Sequence, residues 1–360
     1  MTDILQFIAG LAGLIAGAEL LVRGASRLAL ALGISPLVVG LTVVAFGTSA
    51  PEMAVSVGAV IAGRTDLALG NAVGSNIFNV LLILGLAALV APLAVHVQVI
   101  RQEAPIMLGA AVLLIVLCLD GVIGGFDGAL LCGLMLAYTA FLVRQARAQA
   151  PSTHDQYAAS LPAAAARDWS SRRAVQLLMI VAGLALLVGG SDALVRAAVA
   201  FARVFGVSEV VIGLTIVAAG TSLPEVATSV TAALKGERDI AVGNVVGSCV
   251  FNLLAVVGLG ALAAVASAQP GLPVPTAVLN FDLWVMLAVF LACLPVFMTG
   301  REIARWEGAL FLAYYAAYVC YLILAANEHD ALPVFSAAML GFVLPLTIVT
   351  LVVVGLRERG

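Results

Sequence analysis

Apolar residues dominate this chain in long unbroken runs rather than in amphipathic stripes, and polar residues gather in the short gaps between them. Runs of about 18 or more apolar residues, rising ~1.5 Å per residue in a helix, cross a hydrocarbon layer ~30 Å thick. The pattern predicts eleven such spans, at 4–22, 28–62, 68–91, 104–119, 123–143, 174–195, 208–234, 240–266, 281–299, 306–326 and 332–355. The second and seventh exceed one straight crossing and carry Pro and Gly inside, which predicts broken or kinked helices. Segments of that kind are where transporters place their substrates.

Composition agrees with lipid as the solvent. The 360 residues are 63% hydrophobic and 10% charged, with a mean hydropathy of +1.16, outside the range of a water-soluble domain. The N-terminus lacks a basic region followed by a small-residue cleavage site, so the first run is read as an anchor rather than a signal peptide. Cys118, Cys132, Cys249, Cys293 and Cys320 fall in apolar segments without paired spacing, which predicts neither disulfides nor a zinc site. His96, His154 and His329 are scattered near loops and indicate no transition-metal centre. Nucleotide-loop, nucleophile-elbow and metalloprotease signatures are missing, so no enzyme, cofactor or nucleic-acid partner is expected.

Charge placement sets an orientation. With the N-terminus outside, the loops on the cytoplasmic side hold Arg23, Arg27, Arg101, Arg144, Arg147, Arg167, Arg172, Arg173, Lys235, Arg238, Arg301, Arg305, Arg357 and Arg359, against Arg64, Arg196 and Arg203 opposite. That excess satisfies the positive-inside rule if the number of spans is odd, and it places the C-terminus in the cytoplasm of a cell with this protein in its inner or plasma membrane.

The chain also repeats itself. Residues 40–79, from GLTVVAFGTSAPE to GNAVGSNIFN, return at 213–252 as GLTIVAAGTSLPE to GNVVGSCVFN, displaced by 173 positions without a gap and identical at 24 of 40. Upstream, Glu19 and Arg23 meet Asp192 and Arg196 at the same displacement. Five spans separate equivalent residues, so the copies run in opposite directions through the bilayer. The expected fold is all-α: two inverted repeats of five transmembrane helices, 1–143 and 174–326, joined by a cytoplasmic linker at 144–173, with an additional helix and tail at 327–360. The linker, rich in Ala, Ser and Pro, is read as a plain tether.

Within the repeats, Glu52 and Glu225 lie inside apolar segments at equivalent positions. A carboxylate there costs at least ~2.5 kcal/mol on insertion scales, so it persists where a cation or proton compensates. Gly47-Thr48-Ser49-Ala50-Pro51-Glu52 and Gly220-Thr221-Ser222-Leu223-Pro224-Glu225 supply oxygen donors, the ligands of hard cations. Thr48 and Glu52, and likewise Thr221 and Glu225, are four apart and share a helix face. Each Pro removes a donor and is expected to free carbonyls near Gly47 and Gly220. In the next span of each half, Ser75 and Asn79, and Ser248 and Asn252, share a face, beside small-xxx-small pairs suited to close helix packing. Interhelical hydrogen bonding is the bland alternative for those Ser and Asn side chains. Glu19/Arg23 and Asp192/Arg196 read as interfacial ion pairs.

These motifs resemble those of the Ca²⁺/cation antiporter superfamily, specifically its prokaryotic sodium/calcium exchanger branch, whose two repeats carry G-T-S-x-P-E and G-S-N-x-x-N. The resemblance covers residues 1–326. It implies four central ion sites: Ca²⁺ held by Glu52, Glu225 and backbone oxygens at Thr48 and Thr221; Na⁺ at positions matching Ala45, Thr48, Ser49 and Ser75 in one half and Ala218, Thr221, Ser222 and Ser248 in the other; and a middle site flanked by Asn79 and Asn252. It also implies that the first and sixth spans slide as a gating bundle. Two departures stand out. Asn79 and Asn252 are both neutral, and Cys249 replaces the Asn expected after Ser248. Two carboxylates balance one Ca²⁺ or two Na⁺, which leaves the counter-ion open. Ca²⁺/Na⁺ antiport is the leading expectation, Ca²⁺/H⁺ exchange the near rival, and a passive cation channel the rival from another class. Small cations and the bilayer are the expected partners; the oligomeric state is open.

Overall fold

The computed structural model describes residues 2–158, 173–204 and 218–357. Ten helices among the described residues are long and apolar enough to cross a membrane. With the part of the seventh span that is described, the helices are α1 Thr2–Leu32, α2 Pro36–Ile61, α3 Leu67–Val90, α4 Val99–Cys118, α5 Gly125–Ala158, α6 Arg173–Val204, α7 Leu223–Leu234, α8 Arg238–Ala266, α9 Val278–Met298, α10 Arg305–Ala326 and α11 Leu332–Thr350. In lipid every backbone amide must find its partner within its own segment, which is why the spans are helical.

Several boundaries differ from the sequence reading. The first helix runs on to Leu32, past Arg23 and Arg27, and the chain turns at residues 33–35, where Gly33 takes a positive φ. Apolar Leu28, Ala29 and Leu30 follow the two arginines and keep the helix going. The tether expected from 144 onward starts as helix, because α5 continues to Ala158; residues 159–172 lie outside the described set. The seventh span, 208–234, is described from Ala218 onward.

Contacts recur in pairs related by the internal displacement. α1 and α6 pack antiparallel, glycine against backbone: Gly10 meets Gly190 and Leu194, Gly17 meets Gly183 and Leu187, and Gly24 meets Gln176 and Ile180. Gly10 and Gly183 are repeat mates, as are Gly17 and Gly190. Farther out, Gly85 of α3 touches Gly308 of α10, while its mate Gly258 of α8 touches Gly128 of α5. Small residues at these crossings let helices approach where lipid supplies no hydrophobic drive.

Short antiparallel strand pairs tie the halves together near the helix ends. β1 (Leu93–Ala94) pairs with β4 (Glu302–Ile303), and β2 (Val122–Ile123) with β3 (Leu272–Pro273). The backbone N–H of Gly124 donates to Asp127 and that of Ala304 to Glu307, both at 2.8 Å, so the two helices that follow start on the same cap. Helix α11 has no such counterpart and fastens to α10 through Tyr314, whose hydroxyl donates to Thr347 at 2.6 Å.

Among the described residues outside the centre, a further buried acidic network surrounds Glu103. Glu103 ends a π-helical turn at Val99–Glu103 and accepts from Tyr138 at 2.6 Å, Gln102 at 2.6 Å and Gln98 at 3.0 Å. Its analogue in the second half is Asp282, at the end of the π turn Val278–Asp282, which accepts from Tyr318 at 2.8 Å. These pairs carry the internal correspondence well beyond the 40-residue motif.

Candidate functional site

The motif around each glutamate folds as a broken helix. In α2 the first stretch ends at Thr48, Ser49 sits at φ −80°, ψ 2°, and a second stretch begins at Ala50 with Pro51 in its first turn. The second half does the same: Ser222 sits at φ −91°, ψ 7°, ahead of Leu223 and Pro224. Proline is tolerated at that place because the first-turn amides have no helical partner to lose. Glu52 and Glu225 each occupy the first turn of the resumed helix, where unpaired N–H groups favour an anion.

Two expectations change at these breaks. Thr48 and Glu52 do not share a continuous helical face; Thr48 closes one segment and Glu52 opens the next. The Gly220 carbonyl, expected to be free near the proline, accepts a hydrogen bond from Ser191 at 2.6 Å. Ser191 has Ala18 as its repeat mate, so this contact belongs to one half alone.

The two glutamates come together by exchanging partners across the halves. Ser222 donates to Glu52 Oε1 at 2.8 Å and Ser49 donates to Glu225 Oε1 at 3.2 Å, each serine serving the carboxylate of the opposite repeat. Glu52 lies within electrostatic reach of Glu225. Glu52 is 1% exposed and Glu225 fully buried, yet among the described residues Oε2 of each has no hydrogen-bond partner. Two adjoining carboxylates in a membrane, each with an idle oxygen, require a cation or proton between them.

Neighbouring helices carry further buried polar side chains. Asn79 and Asn252 each open a π-helical turn, Asn79–Leu84 and Asn252–Val256, a local widening that recurs at functional sites. Both are 1% exposed; among the described residues Asn79 Oδ1, both polar atoms of Asn252 and Ser248 Oγ have no hydrogen-bond partner. Ser75 Oγ lies 3.4 Å from Ser222 Oγ. Ala45 is buried beside this centre; Ala218 starts the short turn Ala218–Gly220, with its side chain outside the described set. Among the described residues no three His, Cys, Asp or Glu side chains group as in a resident metal centre.

A supporting shell of amide and hydroxyl groups packs against the broken helices. Asn244 accepts from Thr48 at 3.0 Å and donates to Ser229 at 2.9 Å, and its mate Asn71 donates to Ser56 at 3.1 Å. The signal was present: Asn71/Asn244 and Ser56/Ser229 are identical pairs within the repeat. Asn76 and Cys249, themselves repeat mates, meet directly, with the thiol 4.0 Å from the Asn76 carbonyl oxygen. The departure at Cys249 thus lies against its own equivalent in the sequence repeat. All five cysteines are free thiols.

Fold and site together define a polytopic α-helical membrane protein whose two related segments pair buried carboxylates with serine hydroxyls of the opposite segment. The sequence profile of the family described as sodium/calcium exchanger protein matches residues 2–144 and 175–324, and the chain belongs to that family. It is 40% identical over 253 residues to the putative antiporter CaxA of Alkalimonas amylolytica, covering 69% of this chain and 76% of that protein. It is 33% identical to the sodium/calcium exchanger MaX1 of Methanosarcina acetivorans, over 89% of this chain and 98% of the relative. Among solved structures, the sodium-calcium exchanger NCX_Mj soaked with Na⁺ and Ca²⁺ superposes with a TM-score of 0.75 at 29% identity, over 89% of this chain and 98% of that one. The protein is thus a multi-pass membrane exchanger that handles small cations.

Proposed function

We propose that this protein exchanges Ca²⁺ for Na⁺ by alternating access, with Glu52 and Glu225 as the shared carboxylates of one central site. The observation that carries the reading is the reciprocal pairing of Ser222 with Glu52 and Ser49 with Glu225. It holds one oxygen of each carboxylate and leaves the other for an ion. Two formal negative charges neutralise one Ca²⁺, and the surrounding oxygens match the flexible, oxygen-only shell that Ca²⁺ accepts.

In this reading Ca²⁺ lies between Glu52 and Glu225 with backbone oxygens at Thr48 and Thr221. Na⁺ occupies flanking positions at Ala45, Thr48, Ser49 and Ser75 and at Ala218, Thr221, Ser222 and Ser248, and Asn79 and Asn252 border the middle position. Two Na⁺ replace the charge of one Ca²⁺, so occupancy by either species keeps the buried carboxylates neutralised. Unneutralised carboxylates are costly in this medium, and the cost of crossing with an empty site is what couples the two fluxes. Thr48 and Asn244 hold the broken helix of one half to the neighbouring helix of the other, so the oxygens keep their spacing as access alternates.

The halves are taken as inverted copies, 1–143 and 174–326, with the N-terminus outside, the C-terminus in the cytoplasm, and the protein in an inner or plasma membrane. Uptake of ⁴⁵Ca²⁺ into vesicles, with Na⁺ and pH gradients imposed separately, tests the coupling. Uptake driven by an outward Na⁺ gradient at clamped pH is the expected result. Uptake that follows the pH gradient and ignores Na⁺ would replace Na⁺ by H⁺ at the same carboxylates. Uptake without any counter-ion would make the protein a channel.

A further inference from the structure

Among the described residues the internal correspondence is also broken where α1 meets α7. Helix α1 packs along α7, whereas its repeat mate α6 makes no comparable packing against the second stretch of α2 among the described residues. Consequently Thr228 on α7 is fully buried while its mate Val55 on α2 is 46% exposed. At the end of α7 two side chains grip α1: Lys235 Nζ lies 2.6 Å from Glu19 Oε1, and Ser26 donates to Glu237 Oε1 at 2.6 Å. Glu19 also pairs with Arg23, so its carboxylate sits between two cations.

Displacement by 173 shows what the opposite arrangement offers. Glu19 becomes Asp192 and Arg23 becomes Arg196, an ion pair that is present. Lys235, however, becomes Ala62, Glu237 becomes Arg64, and Ser26 becomes Val199, which has no hydroxyl to donate. If the halves exchange roles as access alternates, α6 comes to lie on α2 as α1 now lies on α7, and neither cross-helix contact can re-form. We propose that Lys235 and Glu237 form a one-sided latch on α1, which biases the resting exchanger toward the arrangement seen here, closed at the face that carries the 235–237 turn. The proposal rests on the alternating-access reading above. The latch residues are positioning residues and touch no transported ion.

The test uses full-length protein in lipid nanodiscs and hydrogen–deuterium exchange at the two equivalent turns, 235–237 and 62–64. Combined Lys235→Ala and Glu237→Ala substitution is expected to speed exchange at 235–237 about tenfold and to slow it at 62–64, because losing an ion pair and a charged hydrogen bond together is worth about one decade in an equilibrium. Lys235→Arg, which keeps the charge, is expected to retain the wild-type pattern. Building the missing contacts on the other side, with Ala62→Lys, Arg64→Glu and Val199→Ser in the wild-type background, is expected to protect 62–64 and expose 235–237. Exchange that rises at both turns in the double variant, or changes at neither, overturns the latch. Failure of the alternating-access reading itself appears separately, as vesicles of wild-type protein that pass Ca²⁺ without counter-ion.

Discussion

The seam between α1 and α6 offers a perturbation whose size can be worked out. A Cβ added at Gly190 would lie 2.7 Å from the backbone nitrogen of Leu14, 2.8 Å from the carbonyl oxygen of Gly10 and 3.0 Å from the carbonyl carbon of Gly13. All three are main-chain atoms of a facing helix, so no rotamer change relieves them. Reaching ordinary contact at about 3.4 Å requires the helices to part by ~0.7 Å, and overpacking of that kind typically costs ~1–3 kcal/mol. The adjacent Gly189 has nothing within 4 Å of its added Cβ. There, alanine gains up to ~1 kcal/mol in helix propensity and meets no neighbour. Gly190→Ala is therefore expected to lower thermal stability and slow ⁴⁵Ca²⁺ exchange, while Gly189→Ala leaves exchange unchanged and stability equal or higher. Stability is read by thermal unfolding in detergent and exchange by vesicle flux. Equal behaviour of the two variants would refute the close backbone packing assigned to this seam.

Three-donor support of the Glu103 carboxylate makes Tyr138 structural. Tyr138→Phe removes a 2.6 Å bond to a buried carboxyl group, and a loss of about 1–3 kcal/mol of stability is expected with the ratio of Ca²⁺ to Sr²⁺ transport unchanged; a changed ratio would tie this network to ion selection. At the centre, Ser222→Ala and Ser49→Ala each delete the donor to the opposite glutamate. Both should weaken apparent Ca²⁺ affinity by at least tenfold in equilibrium binding, and a variant that binds like wild type would remove its serine from the site.

Much of this organisation was legible from spacing alone. The 173-residue displacement and the long apolar runs announced two related sets of spans, and the paired Pro-Glu motifs marked where helices break. What spacing could not show was which partner each polar group takes. Ser49 and Ser222 sit in the same motif as their nearest glutamates, but each binds the glutamate of the other copy, and that crossing depends on how the halves dock. Likewise Asn244 and Ser229, though duplicated, read as generic packing residues until their hydrogen bonds are seen. The turn after Arg27 was misplaced because positive charges within a helix look like a loop when apolar runs are the guide; α1 continues through them, with Arg23 paired to Glu19. The contact between Lys235 and Glu19 joins residues far apart in sequence, and no local pattern reveals it.

Equilibrium binding of ⁴⁵Ca²⁺ to purified wild-type, Glu52→Gln and Glu225→Gln protein, with thermal unfolding as the check on folding, is the measurement that bears most directly on the central site. Either substitution halves the charge available to a divalent ion while keeping side-chain size, so both variants should fold and bind Ca²⁺ at least a hundredfold more weakly, an expected loss of about 3 kcal/mol or more. Folded variants that retain wild-type affinity would show that the two carboxylates do not hold the ion.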